Sequence, residues 1–288
     1  MQNNQSKDTV IIAIIFILSL FLSMTINPSV ARAGVGDGII DPGEDVVGEL
    51  ARATQNPVAS LISLPFQNNT NFNFGPRNKT QNVLNIQPVW PFELTDKWNL
   101  ITRTIVPVIS QPETAPGTDR EFGYGDILFT SFLSPKTPAF GKFIWGAGPA
   151  VLMPTANDDY LGQDRWAAGP SFVALTMTGP WVAGALFSNI WDFAGSGNAD
   201  INFFTCQYFV NYNMAGGWYL ISAPIITANW EGDSNDKWTI PFGGGLGRVF
   251  RIGKQPINFN TQAYYNVETP DNGPDWQLRI QLQFLFPK

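Results

Sequence analysis

The chain has no histidine and a single cysteine, Cys206, in 288 residues. A Ser-His-Asp triad, a His-dependent protease or lipase site and a His-ligated metal centre are therefore excluded, because the imidazole that does their proton transfer or ligation near neutral pH is missing. One thiol excludes an internal disulfide and a thiolate metal site. In the strand pattern below, Cys206 shares a face with Phe204, Tyr208 and Val210 and reads as a small packing residue. No catalytic residue, metal or cofactor is expected, and only a Ser-Lys or carboxylate-only membrane enzyme survives as a catalytic alternative.

Charge is scarce too. Asp, Glu, Lys and Arg make up 14% of the chain, against roughly 25% in ordinary soluble domains. The hydrophobic share, 44%, is ordinary, so the polar surface is short of charge. Beyond the N-terminus no apolar run reaches the ~18 residues of a membrane helix. If the chain enters a membrane, it does so with strands.

The N-terminal stretch MQNNQSKDTVIIAIIFILSLFLSMTINPSVARA is the exception. Lys7 precedes an apolar core from Val10 to Met24, and Ala31-Arg32-Ala33 closes it, the pattern of a secretory signal spanning residues 1–33. Its removal takes Lys7, Arg32 and Asp8 from the totals of 17 basic and 23 acidic residues, leaving 15 and 22 and a net charge of −7. Nucleic acid is excluded as a partner on that balance. Residues 34–60 follow, with Val46, Val47, Leu50 and Ala51 at helical spacing behind Asp41, Glu44 and Asp45. This segment is either a short periplasmic helix or a plug in the bore of what comes next.

From Leu61 to the end, residues 61–288, the pattern is that of strands. The last of them, WQLRIQLQFLFPK, puts Trp276, Leu278, Ile280, Leu282, Phe284 and Phe286 on one face and Gln277, Arg279, Gln281, Gln283 and Leu285 on the other, the period of a β-strand. Twelve such segments are predicted, at 61–74, 81–92, 98–110, 122–133, 142–154, 164–177, 181–192, 200–213, 218–230, 237–250, 257–268 and 276–286. The tight connections LTDK, TGP and MAGG contrast with the longer, acidic QPETAPGTDREF, TANDDYLGQ, EGDSND and TPDNGPD, which implies two unlike sides.

Alternation alone fits a soluble sandwich as well as a membrane barrel. Aromatic spacing separates them. Trp181 and Trp191, Trp218 and Trp230, and Trp238 and Phe250 each lie on one strand face, ten to twelve residues apart. At ~3.3 Å per residue and a tilt of about 40°, that is a climb of roughly 25 to 30 Å, the separation of two interfacial aromatic girdles. With Trp276 and Phe286 they mark the lipid face. The expected fold is an all-β transmembrane antiparallel up-and-down β-barrel of about twelve strands, with a short N-terminal helical segment.

Four stretches carry a resemblance: NPVASLISLPFQNNTNFNFGP, QNVLNIQPVWPFELTDKWNLITRTIVPVISQP, FGYGDILFTSFLSP and the terminal LQFLFPK. They resemble the bacterial family named for the MetA pathway of phenol degradation, whose members are labelled outer-membrane transporters and sometimes neuromedin U. The likeness covers most of residues 52–154 and the last strand. It implies an outer-membrane barrel trafficking in small hydrophobic compounds, and carries over no site residue. The ending Phe286-Pro287-Lys288 departs from the terminal aromatic of many outer-membrane proteins.

The opposite face lines the lumen. Arg103, Asp126, Arg165, Gln207, Asn258, Asn260, Gln262, Tyr264, Gln277, Arg279 and Gln281 are the expected lining of a solute path, with Ile101, Ile105, Ile221 and Ile225 between them. Scattered charges among amides favour small uncharged solutes over ions, since ion porins oppose charge rings at a constriction. The glycines of GGGLGRVF, residues 243–250, lack the Lys-Ser/Thr of a phosphate loop and read as packing glycines beside bulky groups. The expectation is an outer-membrane channel or transporter for small neutral or hydrophobic compounds, aromatic ones among the candidates, with outer-membrane lipids and the barrel assembly machinery as partners. A structural or adhesive barrel with a filled lumen is the alternative.

Overall fold

The computed structural model describes residues 42–113, 119–197, 199–233 and 236–287, with side chains from Val47 onward. The expected signal segment and residues 34–41 lie outside the described residues. Helix α1 (Pro42–Thr54) opens on a proline, whose fixed φ suits a first turn, and is followed by fifteen strands.

The strands are β1 (Ile62–Phe74), β2 (Lys79–Ile86), β3 (Val89–Glu93), β4 (Trp98–Gln111), β5 (Glu121–Tyr124), β6 (Ile127–Pro135), β7 (Phe143–Met153), β8 (Arg165–Thr178), β9 (Trp181–Gly195), β10 (Asn202–Asn213), β11 (Trp218–Ser222), β12 (Ile225–Asn229), β13 (Trp238–Ile252), β14 (Gln255–Glu268) and β15 (Trp276–Phe286). Every pairing is antiparallel; with β2 and β3, β5 and β6, and β11 and β12 each taken as one interrupted stave, staves pair in chain order and β15 returns to β1 to close the ring. Closure leaves no sheet edge, which a bilayer would not tolerate.

Twelve staves carry the barrel, as expected, but three are broken where the sequence pattern runs on. β2 and β3 are separated at Gln87-Pro88, β5 and β6 at Gly125-Asp126, and β11 and β12 at Ala223-Pro224. Proline has no N–H for the ladder and glycine leaves no side chain to pack, so both interrupt a strand. Each pair still flanks the same neighbour: β2 and β3 pair β4, β5 and β6 pair β4, β11 and β12 pair β10. At Gly125-Asp126 the register against β4 slips by one residue, so the alternation expected over 122–133 does not carry through the break.

Alternation sorts the two faces. Along β1 every second residue from Ser63 is buried, while Leu64, Phe66, Asn68 and Thr70 between them are half-exposed. The outer face carries Trp181, Trp191, Trp230, Trp276 and Phe286 as exposed side chains, and Trp218, Trp238 and Phe250 half-buried beside them. Several touch edge-on: Trp230 meets Trp238 at 5.4 Å between ring centroids and Trp181 meets Tyr212 at 4.8 Å.

Two apolar clusters pack the N-terminal segment against the inner wall toward the tight turns. One joins Leu50 and Ala51 of α1 and Leu61 to Tyr219, Val249 and Leu285 of the wall. The other seats Val58 among Ile101, Phe132, Val173, Leu175, Val182, Phe209 and Ala223. The wall is shaped for these contacts. Gly217 has φ +73, and a Cβ there would come within 2.5 Å of Val47 Cγ1 and 2.4 Å of the Val249 carbonyl oxygen. A Cβ on Gly247 would lie 2.2 Å from the Tyr219 ring, so that glycine makes room for a bulky inward side chain, while at Gly243, Gly244 and Gly245 a Cβ would meet neighbouring backbone carbonyls.

Candidate functional site: the barrel lumen

β14, β15 and β1 present their inward rows side by side, since register places Asn260 opposite Gln281, Gln262 opposite Arg279, Tyr264 opposite Gln277, and Asn69 opposite Arg279 from the other side. Directly opposed side chains sit close enough to bond, and here they form a continuous network.

One arm begins at Tyr219, whose hydroxyl donates to Asn258 Oδ1 at 2.6 Å and accepts from Asn260 Nδ2 at 3.4 Å. Asn258 Nδ2 donates to Gln283 Oε1 at 3.0 Å, Gln281 reaches the same oxygen at 3.5 Å, and Gln262 Nε2 donates to Asn260 Oδ1 at 2.8 Å. Tyr264 donates its hydroxyl proton to Gln262 Oε1 and accepts from the Ala223 N–H at 3.0 Å. The other arm runs through Gln277, which donates to Asn71 Oδ1 at 2.9 Å, and Asn71, which donates to Gln81 Oε1 at 2.7 Å.

Arg279 joins the arms. Its Nε donates to Asn69 Oδ1 at 3.0 Å, Nη1 to the Ala223 carbonyl at 2.7 Å and Nη2 to Gln277 Oε1 at 3.1 Å. Its guanidinium also lies 5.1 Å from the centre of the Tyr264 ring, within cation–π range. Ala223 is the residue at which the stave of β11 and β12 breaks. Both backbone groups freed there are thus satisfied from beyond the intervening strand β13, one by Tyr264 of β14 and one by Arg279 of β15, as buried amides require.

Of the expected lining residues, Asn258, Asn260, Gln262, Tyr264 and Arg279 are buried inside and Gln277 and Gln281 are half-buried beside them. Gln207, on β10 opposite Ile225, stands outside the network. Arg103 lies on β4, where Nη2 donates to Gln87 Oε1. Gln87 is buried beside the β2–β3 break; the register runs through that break unshifted, so its shared parity with Asn85 and Val89 was the signal that sequence reading passed over.

The remaining two are held at the long-loop end. Arg165 pairs with Asp192, lies 3.3 Å from Asp200 and donates Nε to the Gly197 carbonyl at 2.9 Å. Asp126 accepts the N–H groups of Thr155 and Ala156 at 3.1 Å each and that of Gln163 at 2.7 Å, organising the loop after β7. The four expected lumen charges are therefore not scattered evenly. At the rim Arg165 is ion-paired and Asp126 is held by backbone N–H groups, while Arg103 and Arg279 face neutral acceptors: among the described residues no carboxylate pairs with either.

Among the described residues no cluster of Cys, Asp and Glu is placed to hold a metal ion. The inner wall sets amide donors and acceptors of β14, β15 and β1 beside aliphatic and aromatic side chains.

No family model matches the chain, and no curated protein matches it. Its fold is similar to that of a COG4313 outer membrane channel from Pseudomonas putida F1, with a TM-score of 0.61, 20% identity, and 80% of this chain and 97% of that one covered. More distant are outer membrane phospholipase A from Escherichia coli, TM-score 0.42, 13% identity, covering 83% and 98%, and a Pseudomonas aeruginosa FadL homologue, TM-score 0.39, 10% identity, covering 80% and 92%. The first likeness is one of fold: an outer-membrane type of barrel.

Proposed function

We propose that this barrel sits in an outer membrane, delivered there after loss of residues 1–33, and conducts small neutral or hydrophobic organic molecules, aromatic ones included. The observation that carries the reading is the adjacency of an amide network and an apolar cluster on one inner wall, with Ala223 belonging to both. A guest with an apolar body and a polar group can exchange water for amide bonds and aliphatic contacts at little cost, while a strongly hydrated ion gains nothing in return. The absence of histidine from the sequence supports a non-enzymatic role. The resemblance to the phenol-degradation family supports the same solute class, and the fold shared with a channel supports conduction.

The packing of α1 favours a refinement. Leu50 and Ala51 are buried against Tyr219, Val249 and Leu285, Gln55 Nε2 donates to Asn213 Oδ1 at 2.9 Å, and Arg52 donates to the Gly179 carbonyl. We take the N-terminal segment to obstruct the bore at the tight-turn end. Planar-bilayer recording tests this: the intact protein should show small conductance steps and a variant lacking residues 36–56 larger ones. Conductance from neither would replace the channel by the structural alternative with a filled lumen.

A further inference from the structure

Arg103 and Arg279 are cations on spanning strands, and Arg279 is only 2% exposed. A buried charge is costly unless paired, and a hydrophobic side chain of similar volume would be cheaper. Ionisable groups at membrane depth are therefore functional candidates whose partner has to be found. For Arg279 the named partners are Asn69, Gln277 and a backbone carbonyl, which satisfy its donors and leave its charge. Arg103 has less: Nη2 reaches Gln87, and among the described residues nothing accepts from Nε or Nη1. Both flank one apolar cluster: Arg103 is two residues from Ile101 on β4, and Arg279 is bonded to the Ala223 carbonyl. What this arrangement lacks is an anion.

The surroundings say what kind. Ile101, two residues from Arg103 on the same strand face, is fully buried in the cluster with Phe132, Phe209 and Ala223. Ala223 in turn carries the carbonyl to which Arg279 is bonded. An anion on the arginines therefore has an apolar wall beside it, and that wall is at present covered by Val58 of the N-terminal segment. A guanidinium binds a carboxylate with charge-assisted, often two-pronged geometry.

We propose that Arg103 and Arg279 form a binding site for a single carboxylate-type anion whose hydrocarbon body packs on the Ile101, Phe132 and Ala223 wall in place of Val58. This rests on the channel reading and narrows it: the preferred guest is an amphiphile with one negative head, where the sequence alone favours an uncharged one.

The test uses the full chain in lipid nanodiscs and titration calorimetry with three probes: octanoate, octan-1-ol and acetate. Octanoate should bind at least about ten-fold more tightly than either of the others, since each of them lacks one half of the recognition. Arg103→Gln should lower octanoate affinity about ten-fold or more, the size expected for loss of a hydrogen bond to a charged group, and leave octan-1-ol unchanged, while Arg103→Lys retains most of it. Equal affinity for octanoate and octan-1-ol overturns the head-group assignment, and equal affinity for octanoate and acetate overturns the apolar wall. Both comparisons use the unmodified protein, so they hold if a variant fails to fold. Charge-dependent octanoate binding without conductance from any variant removes the channel and keeps the site; conductance without such binding does the reverse.

Discussion

Arg279 and Ala223, 56 residues apart in sequence, are joined by a 2.7 Å hydrogen bond from Nη1 to the Ala223 carbonyl, and Tyr264 accepts the N–H of the same alanine. A strand break that would leave two orphaned amide groups is thereby tied to β14 and β15, beyond the intervening β13. Tyr264→Phe should cost about 1 to 3 kcal/mol, the range for leaving buried polar groups unpaired. Combined with Arg279→Met, the loss should fall short of the sum of the single losses, because both act through one residue. Urea unfolding in lipid vesicles checks both statements, and strict additivity would show that the two contacts are independent.

A second prediction separates the faces of β15. Ile280 lies on the outer side opposite Asn68 and Thr261, whereas Gln281 points inward opposite Gln67 and Asn260. A cation near the bilayer midplane on the lipid side costs about 2 to 4 kcal/mol, so Ile280→Arg should impair assembly and Gln281→Arg should not. A heat-modifiability gel reads the difference, and the reverse order would mean that the barrel is inside out.

The outer face of β1 and β2 carries an exception to its apolar character. Asn68 Nδ2 donates to Asn82 Oδ1 at 2.9 Å, Thr70 donates to Asn68 Oδ1 at 3.1 Å, and Asn82 reaches Thr70 at 3.0 Å. Mutual bonding makes the group tolerable in lipid. Asn82→Leu alone should therefore destabilise by about 1 to 2 kcal/mol, by stripping Asn68 and Thr70 of partners, while the triple change to Leu, Val and Leu should be neutral or stabilising. Unfolding midpoints of the two variants decide it.

Sidedness follows from the loops. The tight turn of Ala215–Gly217 lies at the end where α1 packs, and the loops holding Asp158 and Asp271 lie at the other. Tags after Asp158 or Asp271 should be labelled on intact cells and a tag at Ala215 should not. Equal labelling would contradict the twelve-stave course of the chain.

The staves were legible because a period of two survives in almost every one, and because tight and long connections alternate. The breaks were not, since Gln87-Pro88 and Ala223-Pro224 interrupt hydrogen bonding without shifting parity: Trp218 and Trp230 stay on one face across the second. The prolines were the available signal. The inward amides could be read from the same alternation, but not their charge balance. Arg165 of β8 is neutralised by Asp192 of the neighbouring β9, at the end away from the turn that joins them, and Asp126 is spent on backbone N–H groups of another loop. Both are long-range contacts that spacing does not reveal, and only after they are removed do Arg103 and Arg279 stand out as unpaired.

The most direct measurement of the central claim is swelling of vesicles containing the intact protein or the variant lacking residues 36–56. The solutes are phenyl glucoside, which is neutral, aromatic and slow to cross a bilayer by itself, and glucosamine, a cation with a smaller apolar part. Passage of phenyl glucoside ahead of glucosamine, with both accelerated by the truncation, is the result expected of an amphipathic conduit obstructed at one end. Vesicles that admit neither solute with either protein would contradict it and leave a barrel whose lumen is filled.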